Sequence, residues 1–480
     1  MVKSIGNKTS KPNAKLTSFS DDALIAFDNI QDAAGNLLEP TLRLGVTGLS
    51  RAGKTVFISS LIHNLLHGGR LPMFEAQTDG RIAKAEIRPQ PSMDLPRFEY
   101  EEHIQTLVED RLWPQSTKAI SEIRLTLHFE SNSSLNKILG RNTLNIDIVD
   151  YPGEWLLDLP LLGMSYEQWC VQAFELSQQG ERKKLAKEWH ALLDSHDVNA
   201  PADEMVAKKM SSAFTQYLRD CRQDNTALST LPPGRFLMPG DLEGSPALTF
   251  APLHMEADNN TREQGSLHEM MAERYEAYKT YVVKPFFREH FARLDRQIVL
   301  VDALQAMNAG SDALLDLKNA LGDILGCFRT GKNSLLSSLF SKKIDRILFA
   351  ATKADHLHHE NHDKLEKLLG HIVHEAKDDA QFYGAKFCAL GIASVRATVE
   401  ASVKDKGEDL PVIVGTPLKG ENIDGETFNG KTQTAIFPGD LPTNMNSLFK
   451  PQQDKDKTEI NFVRFRPPSL EESEDGLSLS

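Results

Sequence analysis

The sequence is poor in cysteine and has no long hydrophobic run, and both shortages narrow the classes of protein it can belong to. Its 480 residues contain four widely separated cysteines, none of them in a CxxC pair: Cys170, Cys221, Cys327 and Cys388. This spacing suits neither a disulfide framework nor a zinc site, so a reducing compartment is expected. No apolar run approaches the ~18–20 residues of a membrane-spanning helix, and the polar amino terminus lacks the apolar stretch of a signal peptide. We therefore expect a soluble, cytoplasmic protein.

Basic residues are also in short supply. Lysine and arginine number 54 against 67 acidic residues, which gives a formal net charge of −13. General nucleic-acid binders need a basic face, so no nucleic acid is expected as a partner. Hydrophobic residues at 40% and charged residues at 25% are ordinary for a globular protein. A chain of this length usually forms two or three domains.

A glycine-rich loop lies between a predicted strand at 41–47 and a predicted helix at 56–66. Its sequence GLSRAGKT (48–55) matches G-x-x-x-x-G-K-[ST]. Glycines let the backbone wrap around phosphate oxygens, and N–H groups at the helix start attract anions. We predict that Lys54 reaches the β- and γ-phosphates and that the Thr55 hydroxyl ligates Mg²⁺. The nucleotide-binding residues predicted here are Gly48, Ser50, Arg51, Ala52, Gly53, Lys54, Thr55 and Val56.

A second phosphate motif, D-x-x-G, follows a predicted hairpin of strands at 122–129 and 144–149. Asp150 at the strand end is predicted to hold the metal through its water shell. Gly153 is predicted to let a backbone N–H approach the γ-phosphate. Gly153 and Lys54 are both predicted to be catalytic residues.

The tetrad Thr352-Lys353-Ala354-Asp355 ends an apolar strand predicted at 344–351 and is similar to the [NT]-K-x-D motif of Ras-like GTPases. The Asp355 carboxylate would accept from guanine N1–H and N2–H₂, whereas adenine offers no matching donors. The Lys353 stem would pack along the base. After a strand predicted at 386–392, Ser394 and Val395 resemble the loop whose backbone meets guanine O6. Such a site discriminates by as much as ~10⁴–10⁵ between bases.

A threonine that senses the γ-phosphate is expected just before the second core strand. The segment WPQST (113–117) lies there. Thr117 is the predicted switch threonine, with roles in catalysis and metal binding, and Ser116 is predicted to bind nucleotide. Trp113 is predicted to flank the base or ribose. Thr78 is the competing, less favoured candidate.

Helical spacing dominates from Glu154 to about Asp295, and Ser165 with Gln168 forms a capping-box pattern. We predict an N-terminal extension (1–35), a doubly wound α/β P-loop GTPase domain in two chain segments (36–153 and 296–480, with a C-terminal extension from about 405) and an all-helical insertion domain (154–295). The five prolines within 231–253 predict an extended connector rather than helix.

The order of the motifs resembles a Ras-like GTPase. Their wording, GLSRAGKT, WPQST, DYPGEW, RFLMPGDLEGSPALTFAPL, TKAD and VRFRPP, is similar to that of the YcjX family of stress-associated bacterial P-loop proteins, over nearly the whole chain. The resemblance implies a GTPase domain interrupted by a helical domain. It also implies a membrane-protein partner of the YcjF type, which would bring a cytoplasmic protein to the inner membrane.

Glu154 departs from the Ras-like pattern, which often has glutamine after the D-x-x-G glycine. Its carboxylate either orients the attacking water or acts as a base, or it faces solvent or caps the next helix. Near phosphate it would need Mg²⁺ or a cation to offset repulsion. Arg51 either reaches phosphate oxygens or points outward.

Three functions remain open at this point. The leading one is a Mg²⁺-dependent GTPase switch that binds GTP and GDP and responds to stress. The alternatives are a P-loop ATPase and a nucleotide-gated scaffold for a membrane partner with little hydrolysis. The histidine-rich stretch 355–364, with His358 and His362 four residues apart, is interpreted as a solvated helix start rather than a metal site.

Overall fold

A seven-stranded mixed sheet forms the centre of the molecule, in the strand order β2-β3-β4-β1-β5-β6-β7. The computed structural model describes residues 40–49, 51–68, 75–115, 119–130, 142–223, 225–230, 232–255, 262–327, 344, 346–379, 386–405, 408–423, 425–449, 460 and 462–469. The predicted extension 1–35 lies outside them. The strands of this sheet are β1 Thr41–Gly48, β2 Ile82–Arg88, β3 Ser121–Phe129, β4 Thr143–Asp150, β5 Arg296–Val301, β6 Arg346–Ala351 and β7 Lys386–Gly391.

Five neighbouring strands, β4, β1, β5, β6 and β7, run parallel, whereas β3 and β2 are antiparallel additions at one edge. The predicted β3–β4 hairpin is confirmed. Strand β5 is apolar on both faces, as a parallel strand is when both sides of the sheet are covered. On β5, Val299 and Val301 join the core on one side while Ile298 and Leu300 face the core on the other.

Strand β2 was not predicted, and its composition explains why. It is an edge strand that carries Lys84, Glu86 and Arg88, and Glu86 pairs with both basic residues. Charged edge strands protect a sheet from unwanted pairing, but they lack the apolar alternation by which strands are found.

Helices occur before β3, between β4 and β5, and after β5. The regular elements that the structure describes between β4 and β5 are all helical, and we refer to residues 153–293 as the helical segment. The α-helices are Lys54–Leu66, Glu75–Thr78, Tyr100–Val108, Tyr166–Ser177, Arg182–Leu185, Lys187–Asp194, Glu204–Cys221, Gly234–Leu237, Leu267–Tyr278, Lys284–Glu289, Ala303–Ala309, Ser311–Cys327 and His362–Asp379. The 3₁₀ turns are Gly153–Gly163, Gly240–Leu242, Pro246–Leu248, Phe291–Arg293, Ala354–His356, His359–Asn361 and Met445–Phe449, with a π-turn at Lys279–Val283.

Two local predictions in the helical segment have different outcomes. Ser165 and Gln168 form both hydrogen bonds of a capping box, which confirms that pattern. The extended connector is wrong, because 234–237, 240–242 and 246–248 are short helical turns. Pro233 and Pro239 stand just before turns and Pro246 begins one, positions where a helix needs no proline N–H.

The helical segment packs on the sheet through a continuous apolar core. Trp155 and Tyr275 of the segment belong to the same buried cluster as Val299 and Phe349 of the sheet. Its separation as a domain at 154–295 stays a prediction. No helix among the described residues has the length and apolarity to cross a membrane.

A second sheet follows β7 and consists of β8 Thr398–Asp405, β9 Glu408–Gly415 and β12 Thr434–Ile436, with a two-stranded ribbon β10 Asn422–Ile423 and β11 Glu426–Thr427 nearby in sequence. The β8–β9 hairpin spans the predicted start of the extension at about 405. Phe465, close to the carboxyl terminus, is buried against this sheet.

Candidate functional site

The predicted motifs converge at the carboxyl ends of the parallel strands. β1 ends at Gly48, β4 ends at Asp150, and β6 and β7 are followed by 352–355 and 393–395. Because parallel strands point the same way, these ends lie along one edge of the sheet, where ligands bind in open α/β folds.

The glycine-rich loop turns sharply from β1 into the helix that begins at Lys54. Arg51 and Gly53 both have positive φ, 58° and 74°, and the amide of Leu49 donates to Leu300 O at 3.1 Å. Ala52 is buried and Val56 half-buried. This turn places the amides of the helix start at the edge of the sheet, a geometry suited to binding anions. The predicted contact Ser50 lies outside the described residues.

Lys54 and Asp150 meet in the middle of this edge. Lys54 Nζ forms an ion pair with Asp150 Oδ1, and the Asp150 side chain is only 1% exposed. Thr55 is also buried, and its hydroxyl lies 3.5 Å from Gln115 O. A carboxylate and a hydroxyl are oxygen ligands of the kind that Mg²⁺ prefers, so these two residues fit the predicted metal site.

The segment predicted to hold the switch threonine approaches the same point. Gln115, which contacts Thr55, directly precedes Ser116 and Thr117, and these two lie outside the described residues. Trp113 donates from Nε1 to Phe465 O at 2.7 Å and packs against the apolar cluster of the second sheet. The competing Thr78 ends a short helix, exposed, with its hydroxyl donating to Glu75 O at 3.0 Å.

Gly153 lies directly against the glycine-rich loop. A methyl group at this position would overlap the carbonyl oxygen of Gly48 and crowd the Thr47 hydroxyl. Only glycine allows this approach. The structure therefore brings the D-x-x-G motif into contact with the P-loop, and the two form one wall of the candidate site.

Glu154 is buried beside that wall and does not face solvent, which removes one of the alternatives for it. Its carboxylate forms an ion pair with Arg222, which follows the helix Glu204–Cys221. Burial, then the charges of Arg464 and Arg222, lowers the pKa of Arg51. Arg222 and Arg464, from distant parts of the sequence, thus lie close to Arg51 of the P-loop.

The TKAD tetrad forms a tight turn after β6. Lys353 has a φ of 63° and pairs through Nζ with Asp302. Asp355 Oδ2 accepts from Ala397 N at 2.8 Å, and its carbonyl accepts from the Thr398 hydroxyl. Burial raises the pKa of Asp355 to about 6.

The loop containing Ser394 and Val395 is held next to this turn. Ile392 donates to Ala351 O at 2.8 Å and accepts from Ala354 N at 3.1 Å. Val395 is buried and Ser394 half-buried. The two predicted base-recognition segments therefore form one hydrogen-bonded unit.

Sequence reasoning missed Asp302, Arg222 and Phe465. Asp302 could have been found, because it directly follows the apolar strand β5. Asp150 was identified by the same kind of position at the end of a strand. Arg222 has no local signal, because its partner lies 68 positions earlier. A cavity of about 20 Å³ lined by Leu49, Ala227 and Asp302, among others, shows that residues just after Arg222 reach the P-loop.

Comparisons with known proteins identify relatives of this chain. The profile of the YcjX-like family, DUF463, matches residues 42–479. A protein of Escherichia coli (strain K12) named Ras-like GTPase YcjX is 39% identical over 445 residues, which cover 90% of this chain and 91% of that protein. A protein of the same name from Shewanella oneidensis is 33% identical over 467 residues, covering 92% and 93%.

Proposed function

This chain belongs to the YcjX-like family, and on that premise we propose that it is a Mg²⁺-dependent GTPase that converts GTP to GDP and phosphate and acts as a molecular switch. The names of the two relatives support GTP as the nucleotide. The observation that carries the proposal is the wall formed by Gly153 against Gly48, beside the Lys54–Asp150 pair. An ammonium group and a buried carboxylate thus stand beside the glycine of the D-x-x-G motif, which supports the proposed phosphate and metal site.

Phosphoryl transfer needs positioning and charge stabilisation rather than covalent help from the protein. Lys54 holds the β- and γ-phosphate oxygens, and Gly153 and Thr117 bind the γ-phosphate. Thr55, Thr117 and Asp150 hold Mg²⁺, which when bound neutralises phosphate charge.

Glu154 orients the attacking water in this mechanism. A carboxylate close to phosphate is unfavourable unless a cation offsets its charge. The ion pair with Arg222 supplies that cation. Glu154 is thus held in place by the helical segment.

Guanine specificity is assigned to the unit formed by the TKAD turn and the neighbouring loop. Asp355 accepts from the guanine N–H groups, Lys353 packs along the base, and the backbone at Ser394 and Val395 meets O6. Trp113 flanks the base or ribose. Ala397 N donates to the Asp355 carboxylate and the Thr398 hydroxyl donates to the Asp355 backbone carbonyl. These bonds support the role, because together they hold the residue in place before nucleotide arrives.

The switch output is assigned to the helical segment. Residues from Gly153 to Leu159 are all buried in the 3₁₀ turn that opens this segment. Any displacement of Gly153 by the γ-phosphate moves side chains that are packed in its core, so the two nucleotide states differ in the helical segment. The proposed cytoplasmic location rests on the sparse cysteines and the lack of a long apolar run. The stress association and the YcjF-type membrane partner belong to the proposal on the family resemblance alone.

The test is a titration with GDP and ADP in magnesium buffer, followed by a single-turnover assay of phosphate release. We expect GDP to bind at least about 10³-fold more tightly than ADP, and Lys54→Ala to lose binding. Comparable affinities, or tighter ADP, would favour a P-loop ATPase. Guanine binding without phosphate release, alone or with a membrane partner, would favour the nucleotide-gated scaffold.

A further inference from the structure

Imidazoles and carboxylates cluster beside the TKAD turn, and the proposed GTPase mechanism does not use them. His358 and His359 enter the 3₁₀ turn His359–Asn361 with ring centroids 4.2 Å apart. Glu400 approaches from β8, with Oε2 at 2.7 Å from His359 Nδ1 and 3.8 Å from His358 Nε2. Glu360 Oε2 lies 3.7 Å from His358 Nδ1.

This cluster differs from the pair that the sequence suggested. His362 does not join it, because its Nε2 lies 3.3 Å from Leu357 O. Sequence spacing could not reveal Glu400, which is brought in by strand β8 from 41 positions beyond His359.

The nitrogen and oxygen atoms of this cluster lie close enough together for a transition-metal site. With zinc–nitrogen and zinc–oxygen bonds of about 2.0–2.2 Å, tetrahedral ligand atoms lie about 3.3–3.5 Å apart. One nitrogen of His358, one nitrogen of His359 and one carboxylate oxygen of Glu360 all lie within 4.8 Å of one another, and Glu360 Oε2 is 3.7 Å from His358 Nδ1. Shifts of about 1–1.5 Å would therefore bring these atoms to ligand spacing. Two imidazoles with carboxylate oxygens suit zinc and its neighbours rather than Mg²⁺.

One hydrogen bond of the cluster already holds Glu400 in place, and one nitrogen has no hydrogen-bond partner. His359 N donates to Glu400 Oε1 at 2.7 Å, which fixes this carboxylate against the turn. Among the described residues, His358 Nδ1 is a buried atom without a hydrogen bond. The side chain of His358 is 13% exposed and that of His359 is 65% exposed, so an ion can enter from solvent.

We propose that His358, His359 and Glu360 bind a divalent transition-metal ion, best matched by Zn²⁺, and that Glu400 orients the His359 ring through its hydrogen bond at Nδ1. Glu400 would tie the ion-binding turn, which follows Asp355, to β8, the strand whose Thr398 and the preceding Ala397 hold Asp355. The site thus fastens together the two segments that position the base-recognition carboxylate. It does not depend on guanine binding, so this proposal and the proposed function fail separately.

The test is isothermal titration of the chelator-treated, full-length chain with ZnCl₂ in buffer that contains excess Mg²⁺. We expect one saturable Zn²⁺ per chain, and at least about tenfold weaker binding in His359→Ala and in Glu400→Gln. His362→Ala is the matched control and should bind Zn²⁺ like the unaltered chain. Glu400→Gln keeps the size of an exposed side chain, so misfolding is not expected to obscure its result.

Thermal melting provides a second readout, since a ligand that binds only the folded state raises the melting temperature. Zn²⁺ should raise it for the unaltered chain and for His362→Ala, but much less for Glu400→Gln. The absence of saturable Zn²⁺ uptake would overturn the proposal. So would Zn²⁺ binding that His359→Ala and Glu400→Gln both leave intact, since the ion would then be held elsewhere.

Discussion

Single side chains decide the chemistry of the candidate site, and Glu154 shows this most directly. The residue follows Gly153 and would repel phosphate if it stood alone, but Arg222 pairs with its carboxylate. The charge that would let Glu154 act as the proposed water-positioning group therefore comes from the helical segment, not from the motif itself.

Arg222→Ala should lower the single-turnover rate of GTP hydrolysis about 10–100-fold and leave GDP affinity nearly unchanged. The reason is that Glu154 loses the partner that holds and neutralises it. Arg222→Lys should recover part of the rate. Arg219→Ala changes an exposed arginine on the helix that ends just before Arg222, and this variant should behave as the unaltered chain. An Arg222→Ala variant with the normal rate would contradict the role given to this pair.

Asp355→Asn should weaken GDP binding about 100-fold or more and admit xanthine nucleotides, because the amide donates where guanine N1–H also donates. Burial raises the pKa of Asp355 to about 6. Below that pH the carboxyl group is protonated and loses acceptor capacity, so GDP affinity of the unaltered chain should fall as the pH drops from 7 to 5.

Titration with a fluorescent GDP analogue at several pH values measures both effects. The variant should lack the pH dependence, and Asp363→Asn, an exposed carboxylate on the following helix, serves as the control. Unchanged GDP and xanthine affinities in Asp355→Asn would remove the base-recognition role.

At the residue scale, sequence reasoning found the groups that belong to short motifs. Asp150, Gly153 and Asp355 lie at the ends of β4 and β6, along the same edge of the sheet, and their roles stay predictions. Arg222 and Glu400 follow no such pattern, because tertiary packing alone brings each to its partner. Their contacts could not have been read from spacing.

At the scale of elements, the 3₁₀ turn Gly153–Gly163 connects the phosphate motif to the helical segment. Asp158 within it is 2% exposed and accepts hydrogen bonds from Tyr278 OH and Gly234 N, both at 2.6 Å. A methyl group on Gly234 would overlap the carbonyl oxygen of Glu154. The backbone after Gly153 is thus held from several sides.

Asp158→Asn should change how stability depends on pH. Burial raises the pKa of Asp158 to about 6, so the folded chain binds its proton more tightly than the unfolded chain. This contribution to stability is present below about pH 4 and is lost as pH rises through 6, by up to ~3 kcal/mol. Asparagine does not titrate, so the variant does not lose stability in this way as the pH rises.

Urea unfolding at pH 4 to 7 compares the two chains. The free energy of unfolding of Asp158→Asn, relative to that of the unaltered chain, should increase with pH across this range. Asp194→Asn, an exposed carboxylate at a helix end, should show no such trend. If the difference in free energy of unfolding between the two chains were constant over this pH range, Asp158 would have the same pKa in the folded and unfolded chains.

Long helices were predictable from their apolar periodicity, and buried strands from their continuous apolar runs, as on β5 and β6. The errors came where another rule prevails. Charges on the edge hid β2, and proline at the start of a turn permits the helical geometry that it forbids in a helix interior.

At the scale of the whole molecule, the carboxyl-terminal residues 462–469 connect parts that are distant in sequence. Phe465 is 1% exposed, its carbonyl accepts from Trp113, and its ring lies 5.1 Å from that of His356. This segment links the region before the predicted switch threonine to the base-recognition turn.

Phe465→Ala should destabilise the second sheet by about 3–5 kcal/mol, the usual effect of removing a buried phenylalanine ring. Hydrogen exchange of the β9 amides measures the local change, and Phe437→Ala, at a partly exposed position, is the comparison. Equal exchange in the two variants would show that Phe465 adds nothing to this packing.

The helical segment leaves the carboxyl end of β4 and returns at the amino end of β5, the two strands that flank β1. It is therefore the crossover connection that parallel strands require, not an appendage hung on a finished sheet. Excising it would demand a replacement able to span a strand's length, roughly 20 Å, while covering the same apolar face. Evolution can have enlarged or reshaped this connection, but it cannot have dispensed with one.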